Sequence, residues 1–541
     1  MWNDHNRQFT PTLTALIALA IALLGGAACR GGGLASGSSA EAIIVGLPVE
    51  PAGVDPHLFA TDALGTIYLS IYDTLLVRDP DTLEFLPSLA SAWTVSEDGL
   101  EAVFTLREDV TFHDGTPFNA DAVVANIDRV LGLGSQLGSA RPLLGPVTGA
   151  EALDAFVVRV TLSEPYAPLL DALSQPQLGM ASPTALRAND PLTYQFRQVG
   201  TGPYRVLTYD IGQELQLERN EDYNWAPPVV ANPGLPALER ITFRFLPSED
   251  DQIAALRDRS VDLLIGGTAL LAQQIQGSAD YRIETSPALG QPRQFLFNTA
   301  RPPTDQLALR EALILATDRQ TIAQTIYRGY VGVAFSPLTA ATPFHSDMTG
   351  RFAYDVVNAQ AQLNATGWID EDGDGWREDA AGEPIRVEIV TVGQDQLADV
   401  AAQLQTQWET TLRIQVSIRQ VASGAMLREL AQTGSYNVIA SSQAGTDPVL
   451  LNAMYYADGD LNFSNVNDPD LDALLYTATT ALDPGERSAL LSLAQEYIMV
   501  NALALPLTEQ TTIVLIDFGL SGVRFDASGR HLYLADLAFG S

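Results

Sequence analysis

The chain has 541 residues, 46% of them apolar, with a single cysteine and 65 acidic against 30 basic side chains for a formal net charge of −35. That length and apolar share suit about three to four packed domains, and so acidic a balance repels nucleic acid and anionic lipid. Every basic residue is arginine, and a chain without lysine has no Walker-type phosphate loop, no Schiff-base lysine and no lysine general base.

The amino terminus predicts the compartment. Ala15 to Cys29 is an unbroken run of fifteen apolar or small residues behind a polar start carrying Arg7, short of the roughly 20 residues a membrane span needs. Residues 1–29 therefore read as a signal peptide. Cys29, the only cysteine, excludes an intramolecular disulfide and resembles the lipid-modified residue of a bacterial lipoprotein. Gly26 stands where such signals usually carry leucine, which leaves simple cleavage and a retained anchor as alternatives. Residues 30–41, rich in Gly and Ser, form a flexible tether.

The body alternates strand and helix signals. Phe156, Val158, Val160 and Leu162 alternate with polar or smaller neighbours, as do Leu215 and Leu217, then Ile241, Phe243 and Phe245, and later Ile414, Val416 and Ile418; each pattern predicts a half-buried strand. Helices are expected over 305–319, over 355–366 closed by Gly367, and from Asp483-Pro484 onward, where a cap and a first-turn proline stand in the favoured order. The class is mixed α/β.

The most specific segment is Gly200-Thr201-Gly202-Pro203-Tyr204-Arg205, which runs through the Leu215/Leu217 strand into Glu218-Arg219-Asn220-Glu221-Asp222-Tyr223. Before it come Asp55-Pro56, Tyr72-Asp73-Thr74-Leu75, Leu86 to Trp93, and Leu106 to Phe118 with its Phe-His-Asp-Gly-Thr-Pro-Phe turn. After it come Phe297-Asn298-Thr299, Arg310 to Leu313, Ala316-Thr317-Asp318-Arg319, Phe463-Ser464-Asn465 and Asp472 to Leu475. In this order the segments resemble the bacterial extracellular solute-binding proteins of family 5, the peptide- and nickel-binding components of ATP-binding-cassette importers; Gly200 to Arg205 resembles that family's hinge region.

The resemblance implies a bilobed type II periplasmic-binding fold with an additional inserted domain. The first lobe would comprise 42–63, 198–292 and 499–541, with 64–197 inserted and 293–498 forming the opposing lobe. It further implies a monomeric, extracytoplasmic protein, in the periplasm or held to the outer face of the membrane by its lipid. Such a protein captures a small solute or peptide by lobe closure and passes it to a membrane permease, with no cofactor, no catalytic residue and no nucleic-acid partner. A ligand receptor that signals to a sensor partner fits the same scaffold, as does, in another class, a secreted hydrolase.

Enzyme chemistry finds little support in the residues. The histidines His5, His57, His113, His345 and His531 are scattered, without the close pairing of a metal site, and there is no Gly-x-Ser-x-Gly elbow. His113 reads as a turn residue. Asp370-Glu371-Asp372-Gly373-Asp374-Gly375 begins like a calcium loop, but its twelfth position is Ala381 instead of glutamate. The family resemblance implies an Asp/Gly-rich turn there, so a plain turn is expected and no metal site.

For the ligand, the resemblance points to the opposing wall. Peptide-binding members hold the ligand's amino terminus with an aspartate three residues before an acidic-Pro pair; here the pair is Asp447-Pro448 and the matching residue is Ala444. Dipeptide-binding members supply an arginine in the loop after the strand resembling Val387 to Val392, and Gly393 to Leu397 contain none. A zwitterion would thus lose both charge partners, at a cost, which favours a neutral or cationic solute. Ser441, Ser442 and Gln443 offer neutral hydrogen-bonding groups, Phe59 and Thr61 an apolar and a polar contact near the first lobe crossing, and Asp447 a contact to a cation or a turn cap. Tyr455 and Tyr456, read as a strand, would point opposite ways, so that at most one stacks on a ligand. Oligopeptide ranks first, carbohydrate or another small solute second, and metal chelate last.

Overall fold

The computed structural model describes residues 41–133, 139–393 and 396–540; the expected signal peptide, Cys29 and the tether up to residue 40 lie outside the described residues. Three main sheets organise the chain. A seven-stranded mixed sheet runs in the order Tyr281–Pro287, Thr511–Asp517, Leu263–Ile265, Ala42–Leu47, Arg240–Phe245, Glu214–Arg219 and Tyr204–Asp210. Its strands follow the alternation read from the sequence: Leu215, Leu217, Ile241 and Phe243 are fully buried, and their neighbours face outward because side chains alternate along a strand.

Residues between the strands Ala42–Leu47 and Tyr204–Asp210 of that sheet form a four-stranded antiparallel sheet, ordered Ala90–Val95, Glu101–Leu106, Val157–Leu162 and Val147–Asp154. The helix Ala120–Gly132 covers it, burying Val123, Ile127 and Val130 at helical spacing; Asn119 caps its start by accepting from the Ala122 amide at 3.0 Å.

The third sheet, ordered Gln415–Val421, Arg386–Val392, Val438–Ala440, Arg293–Phe297 and Ala504–Thr508, carries the largest apolar core. Helices Val356–Ala365 and Pro484–Val500 begin at the expected caps Asp355 and Asp483. The helix expected over 305–319 is instead two, Leu307–Leu315 and Arg319–Thr325. The break has a local cause: Thr317 Oγ1 donates back to the Leu313 carbonyl at 2.7 Å, and Asp318 caps the second helix from the Thr321 amide at 3.0 Å. The strand Ala504–Thr508, assigned by sequence to the first lobe, pairs with Arg293–Phe297 in this third sheet.

The chain crosses between the seven- and five-stranded sheets at 288–292 and again at 509–510, between strand pairs that are adjacent in both sheets. Gln510 Nε2 donates to the Gln291 carbonyl at 2.8 Å and ties the two crossings together. Gly200 to Tyr204, expected near the hinge, lies elsewhere, where the four-stranded domain meets the seven-stranded sheet. His113 Nε2–H donates to the Gly202 carbonyl at 2.9 Å and its Nδ1 accepts from the Gly200 amide; burial lowers its pKa to about 4, which keeps it neutral. At the same junction Asp73 accepts from Thr201 Oγ1 at 2.9 Å, Trp225 Nε1 at 3.1 Å and Tyr223 Oη at 3.2 Å. The segment from Gly200 to Trp225 thus closes on one buried carboxylate 128 to 152 residues earlier in the chain.

Candidate functional site

A cleft of about 1210 Å³ opens where all three sheet units meet. Residues 60–62 supply its floor, the four-stranded domain one wall through Ser139 to Gln177, and the five-stranded lobe the other through Arg428 and 443–480. A pocket of this size admits a ligand larger than a single sugar or amino acid.

The two walls are clasped at one edge. Thr446 Oγ1, from the five-stranded lobe, donates to the Asp171 carboxylate at 2.8 Å, and Gln175 reaches the same hydroxyl. Arg78 donates to Asp171 at 2.8 Å and to the Thr446 carbonyl at 3.0 Å. Burial pushes the Asp171 carboxyl up to about 6; Arg78 opposes the shift and the Asp447 charge adds to it. Elsewhere along the walls Tyr476 Oη donates to Glu164 Oε2 at 2.8 Å.

The residues singled out from sequence divide between wall and interior. Thr61, Gln443, Ala444 and Asp447 border the cleft. Gln443 and Ala444 are held there through their backbone: the Gln291 amide donates to the Gln443 carbonyl at 2.9 Å, and Gly290 bridges Ala444. This hooks the wall loop directly to the crossing between lobes. Ser441 and Ser442 sit upstream of the cavity lining, where the Ser441 amide donates to the Gln294 carbonyl. Phe59 does not reach the cavity; its ring lies over Gly53, where a Cβ would stand 2.1 Å from Cε2. The Asp447 carboxylate is already engaged, with Arg487 donating to both oxygens at 2.6 and 2.9 Å and the Val449 amide to one of them. Tyr455 and Tyr456 lie at the end of the helix Leu450–Tyr455, not on a strand; Tyr455 is fully buried and Tyr456 borders the cleft. The loop after Val392 contributes no described cleft residue, and Gln394 and Asp395 lie outside the described residues.

Besides Asp171, sequence reasoning missed three charged cleft residues. Asp62, at the floor, faces His531 and Arg530, with His531 Nε2 at 3.2 Å and the other ring nitrogen 2.9 Å from Asp526. Burial works against charge on His531, but Asp526 and Asp62 outweigh it and raise its pKa well above 6.5. Asp62 and Asp526 are shifted below 3.8 because His531, with Arg530 beside Asp62, overcomes their own burial. The His531 contribution to stability is fully present below 6.5 and lost as pH rises through its higher folded value; that of the two carboxyls is present above 3.8 and lost as pH falls through their lower ones. Melting temperature is therefore expected to fall more steeply as pH rises above 6.5 in the natural protein than in His531→Asn. Parallel slopes in thermal melts of the two would refute the network.

The other two are Arg428, exposed at the cleft on the helix Gly424–Gln432 with no protein partner among the described residues, and Glu164, whose protein contact is the neutral Tyr476 hydroxyl. Neither lies in a motif, so only their placement marks them. Among the described residues no histidine borders the cleft. His57 is pinned by Arg129 and the Gly179 carbonyl, His113 by Gly200 and Gly202, and His345 by the Leu338 carbonyl.

Comparison with known proteins places this architecture. Residues 84–465 match the family described as "Bacterial extracellular solute-binding proteins, family 5 Middle". The nickel-binding periplasmic protein of Escherichia coli K12 is 28% identical over 72% of this chain and 71% of its own. The glutathione-binding protein of Shigella flexneri is 26% identical over 94% and 95%. Among solved structures, NikA from Brucella suis in complex with Fe(III)-EDTA superposes with a TM-score of 0.83 at 25% identity, covering 92% of this chain and all of that one. A dipeptide-binding protein from Pseudoalteromonas in complex with Met-Leu has the same fold, with a TM-score of 0.76 at 21% identity over 92% of this chain and 100% of its own. The fold is the bilobed type II periplasmic-binding architecture with an additional inserted domain, and the chain belongs to family 5 of the bacterial extracellular solute-binding proteins.

Proposed function

We propose that the protein captures short peptides in this cleft and delivers them to the membrane permease of an ATP-binding-cassette importer, held outside the cell membrane by a lipid on Cys29. The observation that carries the ligand reading is the charge inventory of the cleft. Asp62, Asp171 and Asp447 are neutralised by Arg530 and His531, Arg78, and Arg487, whereas Arg428 and Glu164 lack an opposite charge. One free cation and one free carboxylate on facing walls suit a zwitterion, because each ligand terminus then gains a charge-assisted hydrogen bond. The partners whose absence from Gly393 to Leu397 and from Ala444 favoured a neutral solute are thus supplied from other elements.

The relatives are consistent with ligands of this chemistry, since glutathione, Met-Leu and Fe(III)-EDTA all carry carboxylates. A bare nickel ion would find no imidazole on the described wall. Closure would follow from hinge bending at 288–292 and 509–510, with the Gln443–Ala444 loop moving as part of that hinge.

Calorimetric titration with a panel of free dipeptides and tripeptides tests this reading. Arg428→Ala is expected to weaken the best-bound peptide by about 10- to 100-fold, the range of a hydrogen bond to a charged group. Carboxyl amidation of the peptide should produce the same loss in the natural protein and little further loss in the variant. Unchanged affinity on both modifications, or tight binding of a neutral sugar in place of any peptide, would overturn the peptide reading.

A further inference from the structure

The connection between the helix Val356–Ala365 and the strand Arg386–Val392 lies away from the cleft and gathers four of its carboxylates, those of Asp370, Asp372, Asp374 and Glu378. One oxygen from each lies within 4.8 Å of the others. Two oxygens bound on opposite sides of one calcium ion, at about 2.4 Å each, are about 4.8 Å apart, so the cluster spans no more than a single ion requires.

An acidic turn needs no ion to explain it, and three of the four carboxylates do have turn duties. Asp370 accepts from the Gly373 and Gly375 amides, Asp372 from the Asp374 amide, and Asp374 from the Trp376 amide. Glu378 is different. It is only 5% exposed; its Oε2 accepts from the Glu371 amide at 2.8 Å, while its Oε1 is buried with no donor. A buried carboxylate oxygen without a partner is costly, and here it belongs to a group turned toward three further carboxylates.

No arginine offsets this charge. Among the described residues none of the four forms an ion pair. The adjacent Arg377 is committed elsewhere, to the Leu412 carbonyl at 2.8 Å, Asn364 Oδ1 at 2.7 Å and the Trp368 carbonyl.

We propose that Asp370, Asp372, Asp374 and Glu378 bind one calcium ion, which fastens this connection to the five-stranded lobe. The order is that of a calcium loop, with carboxylates at positions one, three and five, glycine at six in a left-handed turn (Gly375, φ 96°), and Trp376 at seven, the position that supplies a backbone carbonyl. The missing glutamate at position twelve is replaced by Glu378 at position nine, brought in because the Glu378 amide donates to the Ile369 carbonyl at 3.0 Å and closes the loop. Oxygen-only ligands with no nitrogen or sulfur select a hard cation, and an all-carboxylate cage of this size suits calcium better than the smaller, strongly hydrated magnesium.

The test uses the purified protein stripped with EDTA. Equilibrium dialysis with calcium is expected to load one ion per chain at this site, and calcium is expected to raise the melting temperature by several degrees where magnesium does not. Asp372→Asn, at an exposed position, should weaken calcium binding at least tenfold and abolish the thermal shift; Glu378→Gln should do the same if it folds. No calcium uptake at millimolar concentration, an equal response to magnesium, or undiminished binding by Asp372→Asn would overturn the assignment. None of these readouts depends on the solute in the cleft.

Discussion

Asp73→Ala is expected to destabilise the protein by about 3 kcal/mol or more, because it leaves Thr201 Oγ1, Tyr223 Oη and Trp225 Nε1 without their acceptor and an unpaired buried donor costs about 1–3 kcal/mol. Trp225 Nε1 also donates to the Thr201 carbonyl at 3.0 Å, which moderates its share. The penalty should depend on pH. Burial raises the Asp73 carboxyl to about 6, against the pull of its three hydrogen bonds, so the native state holds this proton more tightly than the unfolded chain. That contribution is fully present below 3.8 and lost as pH rises through about 6. Denaturant unfolding of the two proteins should therefore show a larger stability difference at about pH 4.5 than at about pH 8; equal differences would mean that Asp73 titrates as an ordinary carboxylate.

Gly200→Ala should be at least as damaging, and for a purely steric reason. A Cβ there would stand 2.1 Å from the Ile71 carbonyl oxygen, and one at Gly202 2.5 Å from the Ile71 carbonyl carbon. Both obstacles are backbone, which cannot rotate away as a side chain can. Overpacking of this kind costs about 1–3 kcal/mol where neighbours yield, so about 3 kcal/mol or more is expected here, with loss of the docking between the four-stranded domain and the seven-stranded sheet. Gly132→Ala is the control: it ends the helix Ala120–Gly132 with nothing within 4 Å of its Cβ position, and should stabilise the protein by up to about 1 kcal/mol through helix propensity. A Gly200→Ala protein that melts with the natural one would show that the junction yields.

The two substitutions explain why Tyr72 to Leu75, Gly200 to Arg205 and Asn220 to Tyr223 carry the family resemblance: they meet at one junction between domains. The candidate cleft lies elsewhere. A resemblance built on such a junction identifies the scaffold well and the solute poorly.

Much of the local architecture was legible beforehand. Alternation at Leu215 and Leu217, at Ile241 and Phe243, and at Val158 and Val160 predicted strands whose inward residues are fully buried, since a half-buried strand writes its period directly into the chain. Asp355 and Asp483 predicted helix starts because a cap acts on amides two or three residues away. The break at Thr317-Asp318 was hidden by the same chemistry, a capping pair lying inside an otherwise continuous apolar pattern. Tyr455 and Tyr456 were misread because a short apolar stretch does not distinguish a strand from one turn of helix.

What the sequence by itself determined is therefore the mixed α/β class, the family, and most strands and caps, the strands and caps being set by contacts within a few residues. Only the tertiary structure decided that Ala504–Thr508 joins the five-stranded sheet, that Arg487 occupies Asp447, that Arg428 and Glu164 remain uncompensated, and that the buried Glu378 carboxylate gathers with Asp370, Asp372 and Asp374. Each of these depends on which charged or hydrogen-bonding group, often far away in the chain, reaches a given partner in space, and a buried charge is defined by the partner it finds.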